Sequence, residues 1–254
     1  MRCFFLLFLL LFFHEISGQN QSVEYCDSLI KSGIDALYKN EHRNSLQKFT
    51  EAKKIAEQNK YYEQQFIATN CIGLNYYQMS DYSTALDYYL NAYSVAVKHL
   101  KSDQEMTVLN NIALVYQQQG KYKEAEKHQK KAYDLAVANN DYIGIAIYAN
   151  NLAELLNIEN RLDDSQGYIK IAREALLKKS NPRIEIDVNL SQARNYFQRK
   201  KYDESLQILG QLLVNLKDKE NLDSKISALI LLSKVYQEKN ETEKSINYLQ
   251  QARK

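Results

Sequence analysis

Small and apolar side chains recur every forty residues along most of this chain. A second small position follows twelve residues after the first in each segment. The first position holds Gly33, Gly73, Ala113, Ala153, Ala193 and Ser233, and the second holds Ser45, Ala85, Ala125, Ser165, Ser205 and Ser245. This constant spacing, with no insertion between segments, predicts stacked copies of one supersecondary unit. A repeat array of this kind favours a protein with an extended binding surface over an enzyme with a pocket.

The third segment shows what one unit contains. Leu109, Ile112, Ala113 and Tyr116 recur at i, i+3, i+4 and i+7, which predicts one apolar stripe on a first helix. Gly120 then supplies a helix stop, because glycine can take the left-handed conformation that ends a helix. A second amphipathic helix follows. The two small positions predict that the helices of a pair cross with their backbones close together.

The pattern resembles the tetratricopeptide repeat, in which a large residue, Leu-Gly and Tyr are followed by Ala, Phe and Ala. A HEAT repeat also runs near forty residues, but it does not predict this set of small and aromatic positions. The resemblance implies an all-α fold, a right-handed superhelical solenoid of about six helix pairs, of the longer type found in kinesin light chain repeats and bacterial peptide-sensing regulators. In the second segment the matching residues are Ile72, Gly73, Tyr76, Ala85, Tyr89 and Ala92.

The forty-residue period also predicts where the repeats lie. The array is expected over residues 19–254, with its sixth repeat ending at Lys254 inside the second helix. A solenoid needs a polar helix over its last apolar face, so either that repeat is ragged or the chain continues. The expected repeats lie near 26–65, 66–105, 106–145, 146–185, 186–225 and 226–254.

The N-terminus predicts export. Arg2 precedes an apolar run from Cys3 to Phe13, and the residues up to Gly18 complete the pattern of a signal peptide at 1–18. The run is too short to span a bilayer, which takes about 20 residues. The alternative is a buried first helix, although the run has no amphipathic period. If the host is bacterial, the expected location is the periplasm or the cell surface.

Composition limits the classes of partner and chemistry. The formal net charge is +2, which argues against nucleic acid as the main ligand. No catalytic residue, metal site or cofactor is expected, because phosphate loops, hydrolase motifs and paired metal ligands are absent from the sequence. Cys26 and Cys71 are expected to be free buried thiols. Most tyrosines at repeat positions are expected to pack in the core.

Asparagine recurs on three consecutive predicted first helices. In kinesin light chain repeats an asparagine pair at this place lines the concave groove, and the resemblance implies that Asn111 and Asn151 pair with the backbone of an extended peptide. A carboxamide suits this role because it both donates and accepts hydrogen bonds. The alternative is that these amides bond neighbouring helices and hold the stack. The candidate peptide-binding residues are Asn70, Asn110, Asn111, Asn150 and Asn151.

Two functions follow from these observations. The first is an exported, non-enzymatic scaffold that binds a protein or peptide in its concave groove. The second is the input domain of a membrane-bound histidine kinase or helix-turn-helix regulator, as in exported arrays that this chain resembles, with its C-terminal part missing. A membrane is an expected partner only if the chain continues past residue 254.

Overall fold

Every regular element that the structure describes is an α-helix, which confirms the expected all-α class. The computed structural model describes residues 23–216 and 221–253, so the predicted signal peptide lies outside the described residues. None of the described helices is long and apolar enough to cross a bilayer. The helices are α1 (23–38), α2 (His42–Asn59), α3 (Tyr62–Gln78), α4 (Tyr82–His99), α5 (Ser102–Gln118), α6 (Tyr122–Ala138), α7 (Tyr142–Ile158), α8 (Leu162–Lys178), α9 (Pro182–Gln198), α10 (Tyr202–Asn215), α11 (Leu222–Glu238) and α12 (Thr242–Gln251).

The chain divides into two compact units, Met1–Lys121 and Tyr122–Lys254. The first unit contains α1 to α5 and the second contains α6 to α12. The first helix of each pair from α3 onward, that is α3, α5, α7, α9 and α11, begins four residues before the expected start of its repeat. For example, α3 begins at Tyr62 rather than at residue 66.

Short turns between the helices rely on residues in the left-handed conformation. Gly120 has φ 71°, as its place after the third first helix predicts. At this turn the N–H of Lys121 donates to the carbonyl of Tyr116 at 2.9 Å, which satisfies an orphan carbonyl at the helix end. Other residues take this conformation at the same place in the remaining pairs: Asn40, Ser80, Asn160, Lys200 and Asn240.

The two helices of a pair cross closely at the small positions. A Cβ atom added to Gly73 would lie 2.8 Å from the ring of Tyr89 and 3.3 Å from the carbonyl oxygen of Ala85. In the first pair the hydroxyl of Ser45 donates to the carbonyl of Gly33 at 2.9 Å. These distances confirm the predicted close crossing. At Gly73 they leave room for a hydrogen but not for a methyl group unless the ring of Tyr89 shifts.

Buried polar groups interrupt the core at a few places. Gln129 stands where other pairs bury Phe49, Tyr89, Ile169 or Leu209, and its side-chain nitrogen is buried without a partner in the described structure. Cys26 and Cys71 are free thiols, and burial raises the pKa of each to about 11. Both therefore remain protonated and unreactive near neutral pH.

We expect Gly73→Leu to lower the free energy of unfolding by roughly 1–3 kcal/mol, because the larger side chain overpacks the crossing with Tyr89. Ala125→Leu should act in the same direction, since Ala125 is buried at the second small position. Lys130→Leu, at an exposed site on the same helix as Ala125, is the control. Chemical denaturation of the three variants measures the effect. Equal losses in all three would contradict the assignment of the repeat.

Candidate functional site

Two asparagines join consecutive first helices in the first unit. The Nδ2 group of Asn111 on α5 donates to Oδ1 of Asn70 on α3 at 2.9 Å. Both side chains are half-buried. A carboxamide carries two N–H donors and an acceptor oxygen, so a single hydrogen bond uses only part of the hydrogen-bonding capacity of the two side chains. The Nδ2 group of Asn70 and Oδ1 of Asn111 make no bond to the described residues and are open to a ligand.

Uncharged side chains surround this pair. Ile67 and Leu74 lie one turn to either side of Asn70, at i−3 and i+4, and therefore share its face of α3. Thr107 and Leu114 flank Asn111 in the same way on α5. Ile67, Leu74 and Leu114 are half-buried, while Thr107 is exposed. We call these four residues with Asn70 and Asn111 the amide face.

The asparagines of the second unit lie on α7. Asn150 is only 6% exposed, and its Oδ1 accepts a hydrogen bond from the hydroxyl of Ser191 on α9 at 2.7 Å. Asn151 is half-buried. Asn110, on α5 of the first unit, is also half-buried. The bonds of Asn70, Asn111 and Asn150 thus run between neighbouring first helices, as the stacking alternative expects, while a peptide-binding role remains a prediction for all five asparagines.

A buried amide that the sequence pattern did not single out connects α7 to its neighbours. Asn157 is fully buried, and its Nδ2 group donates to the carbonyl of Ser191 at 3.1 Å. Its Oδ1 accepts from the hydroxyl of Ser165 at 2.7 Å and from Nδ2 of Asn195 at 3.0 Å. With its oxygen and nitrogen both bonded inside the protein, Asn157 holds helices together. An asparagine among apolar neighbours was the only sequence signal for it.

Charged groups occupy the first helices of the second unit. Arg194 on α9 forms an ion pair with Glu154 on α7, forty residues earlier. Two turns before Arg194 on α9, burial raises the pKa of Asp187, an effect that Arg183 opposes and Glu154 increases. The other carboxylate oxygen of Glu154 is buried without a partner among the described residues. The contact between Glu154 and Arg194 depends on the register between α7 and α9, which the sequence of a single helix does not show.

Potential metal ligands do not cluster in the described part of the chain. No group of three or more His, Cys, Asp or Glu side chains is arranged there to hold a metal ion. His42 instead places Nδ1 at 2.8 Å from Oδ1 of Asn75, a contact between α2 and α3.

The tetratricopeptide repeat is found in this chain by comparison with family models. One model described as tetratricopeptide repeat matches residues 104–178, and a second matches residues 226–252. The chain thus carries tetratricopeptide repeats, as the sequence pattern predicted. No curated protein matches the chain in sequence.

Solved structures share the fold at low sequence identity. The apo form of RapI is 15% identical with a TM-score of 0.75, over 91% of this chain and 83% of RapI. The Rap conjugation gene regulator of plasmid pLS20, solved in complex with the Phr* peptide, is 17% identical with a TM-score of 0.71, over 90% of this chain and 61% of the regulator. A putative kinesin light chain from Podosopora anserina with nearly identical TPR-like repeats is 14% identical with a TM-score of 0.57, over 74% of this chain and 93% of that one. These likenesses confirm the helical repeat fold.

Proposed function

We propose that this chain is a non-enzymatic scaffold that binds an extended peptide or protein segment on the amide face of α3 and α5. The observation that carries the proposal is the Asn111–Asn70 pair, which is bonded at 2.9 Å and still offers a donor and an acceptor to a ligand. An extended backbone presents the complementary acceptor and donor. Amide side chains therefore recognise a peptide group whatever side chain it carries.

The neighbouring side chains define the kind of segment that fits. Ile67, Leu74 and Leu114 offer apolar surface on both sides of the amides, and none of the six residues of the amide face is charged. Side chains of an extended segment alternate in direction, so apolar residues at every second position can contact these surfaces while the backbone meets the amides. The segment is uncharged where it meets this face, because an unpaired charge would lose its hydration there.

The fold of peptide-bound relatives supports a peptide ligand for this chain. The pLS20 regulator is described in complex with the Phr* peptide, and another Rap protein of the same fold is described in complex with competence and sporulation factor. A near-neutral formal charge of +2 supports a peptide over nucleic acid.

Asn111→Ala should weaken the binding of an extended peptide by about three- to tenfold, the effect of losing a net hydrogen bond of about 0.5–1.5 kcal/mol. The peptide is first selected on the wild-type chain from a random library, and its affinity is then measured by fluorescence anisotropy. Asn70→Ala should act similarly, since the two amides form one pair. We expect their melting temperatures to fall by less than about 3 °C, because the lost bond is half-buried.

Asn157→Ala is the matched control. It removes a fully buried amide in the second unit, leaves the hydroxyl of Ser165 without its acceptor, and takes one hydrogen bond each from Asn195 and from the carbonyl of Ser191. It should lower the melting temperature by several degrees and leave peptide affinity unchanged. A fall of several degrees in unliganded Asn111→Ala, with unchanged affinity, would show that the pair only holds the stack. The same assay of Asn151→Ala tests its predicted role in the second unit.

We also propose that the chain is exported, with the periplasm or cell surface as its destination in a bacterium. The proposal is supported by the charged, apolar and small-residue pattern of residues 1–18. The mature N-terminus should be Gln19, as shown by intact-mass measurement of the protein made in its own cells. Recovery of a chain that retains Arg2 would contradict export by this signal.

A further inference from the structure

A cleft lies on the side of the first unit where the second helices α2 and α4 flank α3. Its volume is about 400 Å³, which is within the range of small-molecule sites. Lys53 and Glu57 of α2 form one wall, Lys98 and His99 of α4 form the other, and Thr69 of α3 lies at the floor. The cleft shares none of these residues with the amide face.

The repeat pattern sets Thr69 apart from the residues at the same position in the other repeats. Thr69 occupies the position held by Leu29, Leu109 and Leu229 in three other repeats, at offsets of forty residues. Those leucines are buried and fill the equivalent space with a larger apolar side chain. The two remaining repeats hold Ala149 and Asn189 at this position. Among the six repeats, only the second places a threonine there.

The hydroxyl of Thr69 is the unusual group in this cleft. Thr69 is only 1% exposed, and its hydroxyl oxygen has no hydrogen-bond partner in the described structure. A buried polar group without a partner destabilises the fold, and the leucine of three other repeats avoids that penalty. A ligand group in the cleft would supply the missing partner.

The walls add positive charge. Lys98 forms no ion pair with the described residues, whereas Lys53 is held by Glu57 at 2.6 Å. His99 stacks on Tyr62 with ring centroids 3.7 Å apart, which fixes the rim of the cleft. An unpaired ammonium group and a hydroxyl without a partner in the same cleft suit an oxyanion with a second polar group, because hydrogen bonds to charged groups are the stronger ones.

We propose that this cleft binds a small molecule that carries one carboxylate or phosphate group, with the oxyanion at Lys98 and a further polar atom at the hydroxyl of Thr69. The remaining lining of the cleft is mainly polar, with Gln65, Asn91 and Ser94 beside it, and it suits a ligand with hydroxyl groups. The site would work independently of the peptide-binding face.

NMR titration of the mature chain tests the proposal with glycerate, glycerol 3-phosphate and inorganic phosphate as probes and glycerol as the uncharged control. We expect at least one anion, and not glycerol, to give saturable shifts of the Thr69, Lys98 and His99 amides. The organic anion that saturates at the lower concentration identifies the oxyanion as carboxylate or phosphate. Saturation by inorganic phosphate alone, with the same affinity in all variants, would overturn an organic ligand.

Variants distinguish binding in the cleft from a general attraction of anions to the protein surface. Lys98→Gln should weaken binding about tenfold or more, while Lys178→Gln, at the equivalent position two repeats later, should leave it unchanged. Thr69→Leu restores the common repeat residue and should abolish binding without lowering the melting temperature. Thr69→Val keeps the shape and removes only the hydroxyl, and it should weaken binding. Shifts confined to other surfaces, or unchanged affinity in Thr69→Leu, would overturn the proposal.

Discussion

The close approach of two helices within a pair is the constraint on which the described structure depends. At Gly73 an added Cβ would lie 2.8 Å from the ring of Tyr89, so this crossing fixes how α3 packs on α4. The serine hydroxyl at the crossing in the first pair, Ser45, bonds to the facing backbone. Because the small positions recur every forty residues, each unit presents its first helices in a constant register. That register brings side chains forty residues apart into contact.

Amide side chains satisfy much of the polar requirement between first helices. Asn157 is fully bonded inside the second unit, whereas the Asn70–Asn111 pair in the first unit retains free hydrogen-bonding capacity. The same residue type therefore stabilises the stack where it is buried and offers a recognition surface where it is half-buried. Burial and the count of satisfied bonds distinguish the two roles.

The fold could be predicted from the sequence because the crossing imposes small residues at fixed intervals, as at Gly73 and Ala85. The candidate site could be predicted only in part. The asparagines were visible as a pattern, but the burial of Asn150 and the pairing of Glu154 with Arg194 depend on register between helices that a single repeat does not show. Thr69 stands where three other repeats have leucine, but the sequence alone does not show that its hydroxyl lies in a cleft without a partner among the described residues.

Native-state hydrogen exchange can show whether each helix pair is stabilised by its neighbours. Stacking energetics predict that amides of α3 and α4, which lie between α2 and α5 in the first unit, exchange more slowly than those of α1. In the second unit, α8 should be better protected than α12, whose main contacts among the described helices are with α11. Equal protection from Ser28 to Ala252 would contradict a structure held together by nearest-neighbour packing of repeats.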